Sequence, residues 1–269
     1  MSDAECIAFL QWALPRLELR WPGFRKVRRQ VCRRIKRRID DLGLQRFTDY
    51  RQRLETDPPE WRVLDQCCHV TISRFFRDRT VFDGLRANVL PAIAACAQRE
   101  RRQARGWSAG CASGEEPYTV KIVWDFEVRS AFPDVALSIV ATDIDAKVLA
   151  RARVGCYRAS SLRELPPPLQ VRGFEPAGPC FRVRPDQRER VTFLHQDLRC
   201  DAPPGHFDII FCRNLAFTYF EPRLQQRVLA AFAERLVAGG YLVVGAHEHI
   251  HDARFMALDS VPHVLARIG

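Results

Sequence analysis

The chain has 269 residues, of which 47% are apolar, and carries a formal net charge of +10. That length and apolar content suffice for one large hydrophobic core and a smaller unit. No apolar run approaches the roughly 20 residues that span a bilayer, and the first residues lack the basic and apolar regions of a signal peptide. We therefore expect a cytoplasmic protein without membrane insertion.

The ten cysteines are scattered along the chain. Cys67 and Cys68 are adjacent and no C-x-x-C pair occurs, so the spacing indicates neither a zinc site nor a disulfide framework. We expect buried or neutral thiols, because free cysteine packs as a small apolar residue. His247, His249 and His251 lie in a predicted loop without a matching ligand elsewhere, so we expect surface histidines and no metal.

A strongly basic helix is predicted near the N-terminus. Residues 25–38 contain nine Lys or Arg and no acid, while Val27, Val31, Ile35 and Ile39 repeat at helical spacing. Such a helix has a narrow apolar stripe and a wide cationic face. A face of one sign this wide indicates an acidic partner, and nucleic acid, an anionic membrane surface and an acidic protein helix all stay open.

Residues 1–85 are predicted to form a small helical domain, separate from residues 86–269. After the basic helix, another helix begins at Phe47 and is broken by the Asp-Pro-Pro run at 57–59. The sequence HVTISRFFRD follows, with two aromatic residues between arginines. Its second arginine, Arg77, matters for function if the side chain turns inward.

Residues 106–120, GWSAGCASGEEPYTV, predict a strand end, a turn with Gly110 and Gly114, and a helix. In an α/β sheet such a crossing binds nucleotide-like ligands, because glycines let backbone amides approach. The spacing fits neither G-x-G-x-x-G nor G-x-x-x-x-G-K-[ST], and Glu115 and Glu116 would repel a pyrophosphate. The carboxylates suit a ligand with hydroxyls and positive charge, such as S-adenosylmethionine, or they only complement the helix dipole.

Strands and helices alternate beyond this turn, which predicts an α/β fold with a parallel sheet. Residues 137–142 form a strand of the buried type that ends at Asp143. An acid at this place hydrogen-bonds ribose hydroxyls in a Rossmann-like fold. The alternative is a helix N-cap, which Asp145 can supply for a helix over 146–153 while Asp143 faces the ligand.

The alternation breaks at residues 155–190, which are rich in Pro and Gly. This segment is too long for an ordinary α/β loop and is predicted to be an inserted small subdomain or binding flap. The sheet then resumes, and a fully buried strand over 207–212 is followed by Arg213 and Asn214. Polar groups at such a strand end lie over the ligand crevice. The tail can add an antiparallel edge hairpin.

Several short motifs occur in a fixed order: RFFRD, WSAGCASGEEPY, ATDID, RARVGCY, FDIIFCRN and AGGYLVVGAHE. Together they resemble the CheR-type chemoreceptor glutamate methyltransferases over nearly the whole chain. The resemblance implies an all-helical N-terminal domain, a Rossmann-like S-adenosylmethionine-dependent methyltransferase core and an inserted β-subdomain at 155–190. It also implies methyl transfer to glutamate side-chain carboxylates on a receptor's cytoplasmic helices.

The resemblance further implies the site residues. Arg77 would lie near the methionine carboxylate and the transferring methyl group, and Tyr219 beside that methyl group, as the two catalytic residues. Asp143 would bind the ribose, and of the two glutamates Glu116 is favoured for the methionyl amine. The residues predicted to bind the cofactor are Thr71, Ser73, Arg77, Gly110, Glu115, Glu116 and Asp143, with Asp197 and Leu198 at the adenine and Asn214 and Leu215 at the crevice floor.

Two kinds of partner contact are implied by the same resemblance. The basic helix at 25–38 would face the acidic methylation helices of a receptor, and the 155–190 subdomain could dock a receptor's C-terminal peptide.

The chemistry of the reaction agrees with a glutamate acceptor. A glutamate carboxylate is already ionised at pH 7, so its methylation needs orientation and desolvation of the reacting groups rather than a general base.

Two other function classes stay open. One is a methyltransferase with a different acceptor such as RNA. Residues 25–38 contain no aromatic residue for base stacking, so no nucleic-acid partner is expected. The other is a non-catalytic S-adenosylmethionine-binding scaffold. The joint presence of Arg77, Asp143, Asn214 and Tyr219 argues against it.

Overall fold

The computed structural model describes residues 2–269 and divides into two compact units. The smaller unit contains the N-terminal helices, and the larger unit contains the sheets. A short segment near residue 220 belongs to the smaller unit although it follows most of the larger one in sequence. The smaller unit comprises the chain up to Val70 with Thr218–Gln226, and the larger comprises Thr71–Phe217 with Arg227–Gly269.

The boundary between the units lies earlier than the predicted division between residues 85 and 86. The aromatic pair Phe75 and Phe76 is fully buried in the core of the larger unit, together with Phe82. Because burial of large aromatic side chains dominates core energetics, the segment that carries them belongs to the unit that buries them.

The smaller unit is helical, as its sequence predicts. A capping box begins its first helix, in which the Ser2 hydroxyl accepts from the Glu5 backbone N–H and the Glu5 carboxylate accepts from the Ser2 N–H. Among residues 2–269 no helix combines the length and apolar character needed to cross a membrane. The helices of this unit are α1 (Asp3–Ala13), α2 (Trp21–Phe24), α3 (Arg28–Asp41), α4 (Phe47–Thr56) and α5 (Glu60–Cys68).

Helix α3 carries the predicted basic run from Arg28 onward, and residues 25–27, predicted to be helical, form a turn before it. Its buried residues are Val31, Ile35 and Ile39, which confirms the narrow apolar stripe. The cationic side chains do not all face solvent, because Arg34 donates to the backbone carbonyl of Cys67. The exposed face is therefore narrower than the sequence alone indicates.

One buried carboxylate ties α3 to the two helices that follow. Glu60 is only 3% exposed and accepts two hydrogen bonds from Arg38, at 2.9 and 2.7 Å, and one from the Tyr50 hydroxyl at 2.7 Å. The hydrogen bonds from Arg38 hold the pKa of Glu60 below its usual value against the effect of burial. Arg38 therefore stabilises the packing of this unit, because its removal would leave the Glu60 carboxylate buried without a positively charged partner.

The larger unit is built on a seven-stranded sheet and confirms the predicted α/β class. Its strand order is β6-β2-β1-β7-β8-β10-β9. The first five strands are parallel, and the last two form the predicted antiparallel edge hairpin. The strands are β1 (Ala104–Ala109), β2 (Leu137–Asp143), β6 (Val191–His195), β7 (Phe207–Cys212), β8 (Leu236–Val244), β9 (Phe255–Ala257) and β10 (Val264–Arg267).

Helices connect the parallel strands. Every residue of β7 is buried, as expected of a central parallel strand covered on both faces. Trp107 of β1 packs edge-on against Phe232 with ring centroids 5.2 Å apart. Helices α6 (Arg79–Gly84) and α7 (Leu90–Arg99) precede β1. The helices between later strands are α8 (Glu115–Val123), α9 (Ala146–Val154), α13 (Ala216–Tyr219) and α14 (Pro222–Arg235), and the segment 218–226 of the last two belongs to the smaller unit. Two π-helical turns lie at Leu85–Val89 and Trp124–Val128.

The segment at 155–190 forms a second, small sheet with three short helices. The sheet has the order β3-β5-β4 and is antiparallel throughout, which agrees with the inserted β-subdomain expected from the sequence. Its elements are β3 (Cys156–Tyr157), α10 (Ala159–Leu162), α11 (Pro167–Gly173), β4 (Phe174–Ala177), β5 (Cys180–Val183) and α12 (Pro185–Arg188).

Two disulfides contradict the expectation that the cysteines are unpaired. Cys6 of α1 is bonded to Cys32 of α3, and Cys156 of β3 is bonded to Cys180 of β5. Each pair joins elements that are adjacent in space but 26 and 24 residues apart in sequence. Spacing along the chain carries no signal for such pairs, because the pairing is set by the packing of the elements.

Candidate functional site

The carboxyl ends of four parallel strands meet at one edge of the large sheet. Ala109 of β1 is paired with Thr142 of β2, and Asp143 is paired with His195 of β6. On the other side, Ser108 of β1 is paired with Phe211 of β7. Residues that follow these strands therefore converge where ligands bind in open α/β sheets.

The glycine turn after β1 is built from left-handed backbone. Gly110 has a φ of +79° and Gly114 a φ of +88°, values that L residues avoid for steric reasons. A Cβ on Gly110 would lie 2.2 Å from the side chain of Leu215. Two residues predicted to bind the cofactor, Gly110 and Leu215, are therefore in contact, and the contact requires a glycine.

Glu116 faces the strand ends. Its Oε1 accepts a hydrogen bond from the Ser108 hydroxyl at 2.7 Å, and its Oε2 accepts one from Arg213 at 3.1 Å. A carboxylate can accept about four hydrogen bonds, so Glu116 retains capacity for a cationic ligand. The contact with an ammonium group predicted for Glu116 stays a prediction.

Glu115 makes different contacts from its neighbour Glu116. Its side chain is 4% exposed, and Oε2 has no hydrogen-bond partner among residues 2–269. Burial raises the pKa of Glu115, while a hydrogen bond from its own backbone, the charge of Arg151 and a hydrogen bond from Ser73 act in the opposite direction. Ser73, also a predicted site residue, thus lies beside Glu115.

Asp143 ties the end of β2 to the glycine turn. Its Oδ2 accepts from the Ala112 backbone N–H and its Oδ1 from the Asp145 N–H, both at 2.9 Å. Asp145 caps α9 by accepting from the N–H groups of Lys147 and Val148, so the predicted separation of roles between the two acids is confirmed for Asp145. Asp143 sits where a ribose would be recognised in this fold.

Arg77 lies in the loop between Thr71 and Asp78, with strained backbone on both sides. Phe76 has a φ of +56° and Asp78 a φ of +63°. The Arg77 guanidinium is partly exposed and donates to the Ile72 carbonyl at 2.8 Å. Non-glycine residues in this region cost about 1–3 kcal/mol each and persist where surrounding contacts hold them, often at functional sites.

Arg213 connects this loop to the glycine turn, although it is not among the site residues predicted from the sequence. Nη2 donates to the Arg77 carbonyl at 2.6 Å and to Asp78 Oδ2 at 2.7 Å, while Nη1 donates to Glu116 Oε2. Its guanidinium lies over the ring of Phe82, 5.2 Å from the centroid. The feature of the sequence that could have indicated Arg213 as a site residue is its position directly after the buried strand β7.

Asn214 is held by Glu248, which is also not among the site residues predicted from the sequence. Asn214 has a φ of +56°, and its backbone N–H donates to Glu248 Oε2 at 2.8 Å. The same oxygen accepts from the Gly245 N–H at 2.7 Å. Glu248 is buried and belongs to the GAHE motif, which was the signal for its role.

The remaining predicted site residues are Thr71, Asp197, Leu198 and Tyr219, and each has different surroundings. Asp197 accepts from the Arg199 backbone N–H and from its side chain at 2.8–3.0 Å, and Leu198 follows it. Thr71 opens the loop that carries Arg77. Tyr219 belongs to the smaller unit, where its ring packs edge-on against Phe24 at 5.0 Å, and the catalytic role predicted for it stays a prediction.

The residues at the strand ends fit S-adenosylmethionine. Glu115 leaves a buried acceptor unsatisfied, which costs free energy unless a ligand supplies a donor. Glu116 and Asp143 add two carboxylates, which suit an ammonium group and ribose hydroxyls and disfavour a pyrophosphate. A parallel sheet with this turn and these acids defines the class of Rossmann-like S-adenosylmethionine-dependent methyltransferases.

Comparison with known families narrows the class. Residues 71–261 match the model described as CheR methyltransferase, SAM binding domain, and residues 26–64 match that of the CheR methyltransferase, all-alpha domain. The chain belongs to the CheR methyltransferase family. The resemblance drawn from the motifs is confirmed, as are the fold class and the S-adenosylmethionine cofactor.

Curated relatives agree with the family. A probable chemotaxis protein methyltransferase of Rhizobium etli is 33% identical over 241 residues, covering 86% of this chain and 88% of the relative. The chemotaxis protein methyltransferase of Escherichia coli K12 is 34% identical over 250 residues, covering 89% and 84%. That of Klebsiella aerogenes is 35% identical over 233 residues, covering 82% and 76%.

Proposed function

We propose that the protein transfers a methyl group from S-adenosylmethionine to glutamate side-chain carboxylates of a chemoreceptor or a related signalling protein. Family membership supports methyl transfer, and the names of the relatives support a role in chemotaxis. The glutamate acceptor is our inference from the chemistry of the site. An acceptor on cytoplasmic receptor helices would place the protein in the cytoplasm.

The observation that carries the proposal is the position of Arg77. Its backbone carbonyl is bonded to Arg213, directly after β7, while its guanidinium remains partly exposed. A guanidinium is always charged and can bind a carboxylate through two parallel hydrogen bonds. An anionic acceptor that reaches the strand ends would therefore meet a cation there.

The chain's own residues have a limited chemical task in this proposal. When bound, S-adenosylmethionine supplies a methyl group on a positively charged sulfur, which an ionised carboxylate can accept without a general base. Glu115, Glu116 and Asp143 would hold the cofactor, and Arg77 would neutralise and orient the acceptor carboxylate. Alignment of this kind supplies a large part of the rate acceleration in such reactions.

The proposal is tested by the chemistry of the product. The full chain is incubated with labelled S-adenosylmethionine and a cytoplasmic receptor fragment that contains glutamate-rich helices. We expect label on glutamates in a form released as methanol by mild alkali, as a methyl ester requires. Replacing the labelled glutamates with alanine should remove the signal. Alkali-stable label, or label only on added RNA, would contradict the glutamate acceptor.

We further propose that the exposed face of α3 binds acidic helices of the acceptor. Arg29, Arg33 and Arg37 are exposed and lie four residues apart in α3, so they form one row along the helix side. Arg28 pairs with Asp3 at 3.1 Å and lies outside this row. A row of unshielded guanidinium groups would attract a surface of opposite charge and speed association.

Charge reversal tests this surface. The Arg29→Glu/Arg33→Glu double variant is expected to weaken binding of the receptor fragment at least tenfold at low salt, with the difference shrinking as ionic strength rises. S-adenosylhomocysteine should bind as in the wild type. Arg46→Glu is the matched control, because Arg46 is 73% exposed on the same unit and pairs only locally with Asp49. Equal weakening by the control would contradict a specific surface.

The β-subdomain is our proposed second contact, for an extended receptor peptide. In the order β3-β5-β4 both outer strands present an unpaired edge within this small sheet, and an extended peptide can add to such an edge through main-chain hydrogen bonds. Titration of labelled C-terminal receptor peptides measures this directly. Affinity unaffected by deletion of the subdomain's outer strand β4 would contradict docking at that edge.

A further inference from the structure

We propose that Arg213 is a positioning residue that holds the segment carrying Arg77 and the carboxylate of Glu116 in one fixed arrangement. The kinetic part of this inference rests on the function proposed above. Arg213 is 9% exposed, and its described hydrogen bonds go to other parts of the protein. It therefore acts through neighbouring groups at the strand ends.

The hydrogen bonds of Arg213 join two segments that are far apart in sequence. One arm of the guanidinium binds the Arg77 carbonyl at 2.6 Å and the Asp78 carboxylate at 2.7 Å. The other arm binds the Glu116 carboxylate at 3.1 Å. A planar guanidinium with five donors in a fixed geometry can set the distance between these groups.

The segment around Arg77 needs such support. Phe76 and Asp78, on either side, both have positive φ, a conformation that local energetics disfavour. The Phe76 backbone N–H is bonded to Thr119 Oγ1 at 3.2 Å, which anchors the first strained residue to α8. The bonds from Arg213 anchor the second, so the Arg77 side chain projects from a backbone held on both sides.

The charges around Arg213 indicate the same positioning role. Asp78 and Glu116 are both bonded to Arg213, with their side chains 27% and 12% exposed. Without the cation, two carboxylates bonded to one buried group would repel each other in surroundings with little water. We infer that the loop would move away from the glycine turn, taking Arg77 with it.

The test uses the Arg213→Met and Arg213→Lys variants of the full chain. Methionine keeps much of the apolar stem, and lysine keeps the charge without the planar fork. Calorimetry with S-adenosylhomocysteine should give a Kd at least tenfold higher for Arg213→Met, because Glu116 loses its orienting bond. Hydrogen exchange of residues 71–79 should be faster in both variants.

Steady-state kinetics distinguish a positioning role from a merely structural one, which would not lower kcat selectively. Misplacement of a catalytic group by about 1 Å can cost about 10²-fold in rate, so we expect kcat for glutamate methylation to fall by about that factor in Arg213→Met. The acceptor KM should change by much less, and Arg213→Lys should recover only part of kcat. Arg86→Met is the matched control, since Arg86 pairs with Asp83 and Glu127 in the same unit.

A double variant guards against simple misfolding. Arg213→Met/Asp78→Asn removes one of the two carboxylates left unpaired and should regain part of the thermal stability that Arg213→Met loses. It should still show faster exchange at 71–79 and weakened cofactor binding. Wild-type Kd and exchange in Arg213→Met or in the double variant would overturn the proposal. If the wild type methylates no glutamate, the proposed function fails, while the Kd and exchange measurements still decide the role of Arg213.

Discussion

At the scale of single residues, the proposed reaction depends most directly on Arg77. Replacing it with alanine should abolish turnover, and Arg77→Lys should retain only a small part of it, because lysine offers no bidentate fork to a carboxylate. The measurement is the rate of alkali-labile methylation of the receptor fragment. Arg79→Ala is the control, since Arg79 is 70% exposed and pairs with Asp83. Near-wild-type activity in Arg77→Ala would remove Arg77 from the mechanism.

Glu115 makes stability depend on pH in a direction that can be worked out. Burial raises its pKa above the usual value of 4.5, so the folded protein holds this proton more tightly than the unfolded chain. Stability is then lost as pH rises from about 4.5 through the raised pKa. Without ligand, Glu115→Gln should have a higher Tm than the wild type at pH 7 and an equal one below about pH 4.5.

Thermal unfolding at several pH values checks this prediction. Glu189→Gln is the control, because Glu189 is exposed in the same unit and its replacement should leave the Tm difference near zero throughout. A Glu115→Gln variant less stable than the wild type at pH 7 would contradict the assignment of Glu115 as a costly buried carboxylate that awaits a cationic ligand.

At the scale of elements, the turn between β1 and α8 is fixed by both backbone and packing. Gly110→Ala must place a Cβ 2.2 Å from Leu215 at a φ of +79°, so we expect destabilisation of more than about 2 kcal/mol and loss of S-adenosylhomocysteine binding. Gly178→Ala is the matched control. Its φ is +63° with nothing within 4 Å, so it pays only the backbone cost of about 1 kcal/mol.

Denaturant unfolding measures the loss of stability in the two alanine variants, and calorimetry measures the loss of S-adenosylhomocysteine binding. Equal destabilisation by the two alanine variants would mean that the contact with Leu215 is not needed for the turn. Unchanged cofactor binding in Gly110→Ala would mean that the turn does not shape the site.

At the scale of the whole molecule, the two disulfides link stability to redox conditions. The chain-entropy model gives about 3.5 kcal/mol for a loop the size of the one closed by Cys6 and Cys32. We expect Cys6→Ser/Cys32→Ser to lose stability of this order, and a reducing agent to lower the Tm of the wild type but not of a variant lacking all four bonded cysteines. Cys200→Ser is the control, since Cys200 is exposed and unpaired.

The effect of reducing the disulfides indicates the redox compartment in which the protein functions. Cytosolic disulfides are rare, so a cytoplasmic protein would hold these cysteines as thiols for much of its life. Intact function of the reduced protein in the methylation assay would show that the cross-links are dispensable. Loss of activity on reduction, restored by oxidation, would make them part of the functional state.

The sequence by itself determined the alternation of strands and helices, the glycine turn and the helical domain. These follow from local signals: apolar periodicity, turn glycines and residues such as Asp145 that cap helices. The order of the motifs also identified the family, because several short patterns occur with fitting gaps.

Only the tertiary structure decided which of the polar residues work together. Arg213 bonds to Arg77, Asp78 and Glu116, and Glu248 bonds to Asn214, across long stretches of sequence. The pairing of the cysteines and the unit that buries Phe75 and Phe76 were decided in the same way. Such contacts depend on how elements pack, and no local pattern encodes the distance between two side chains brought together from different strands and loops.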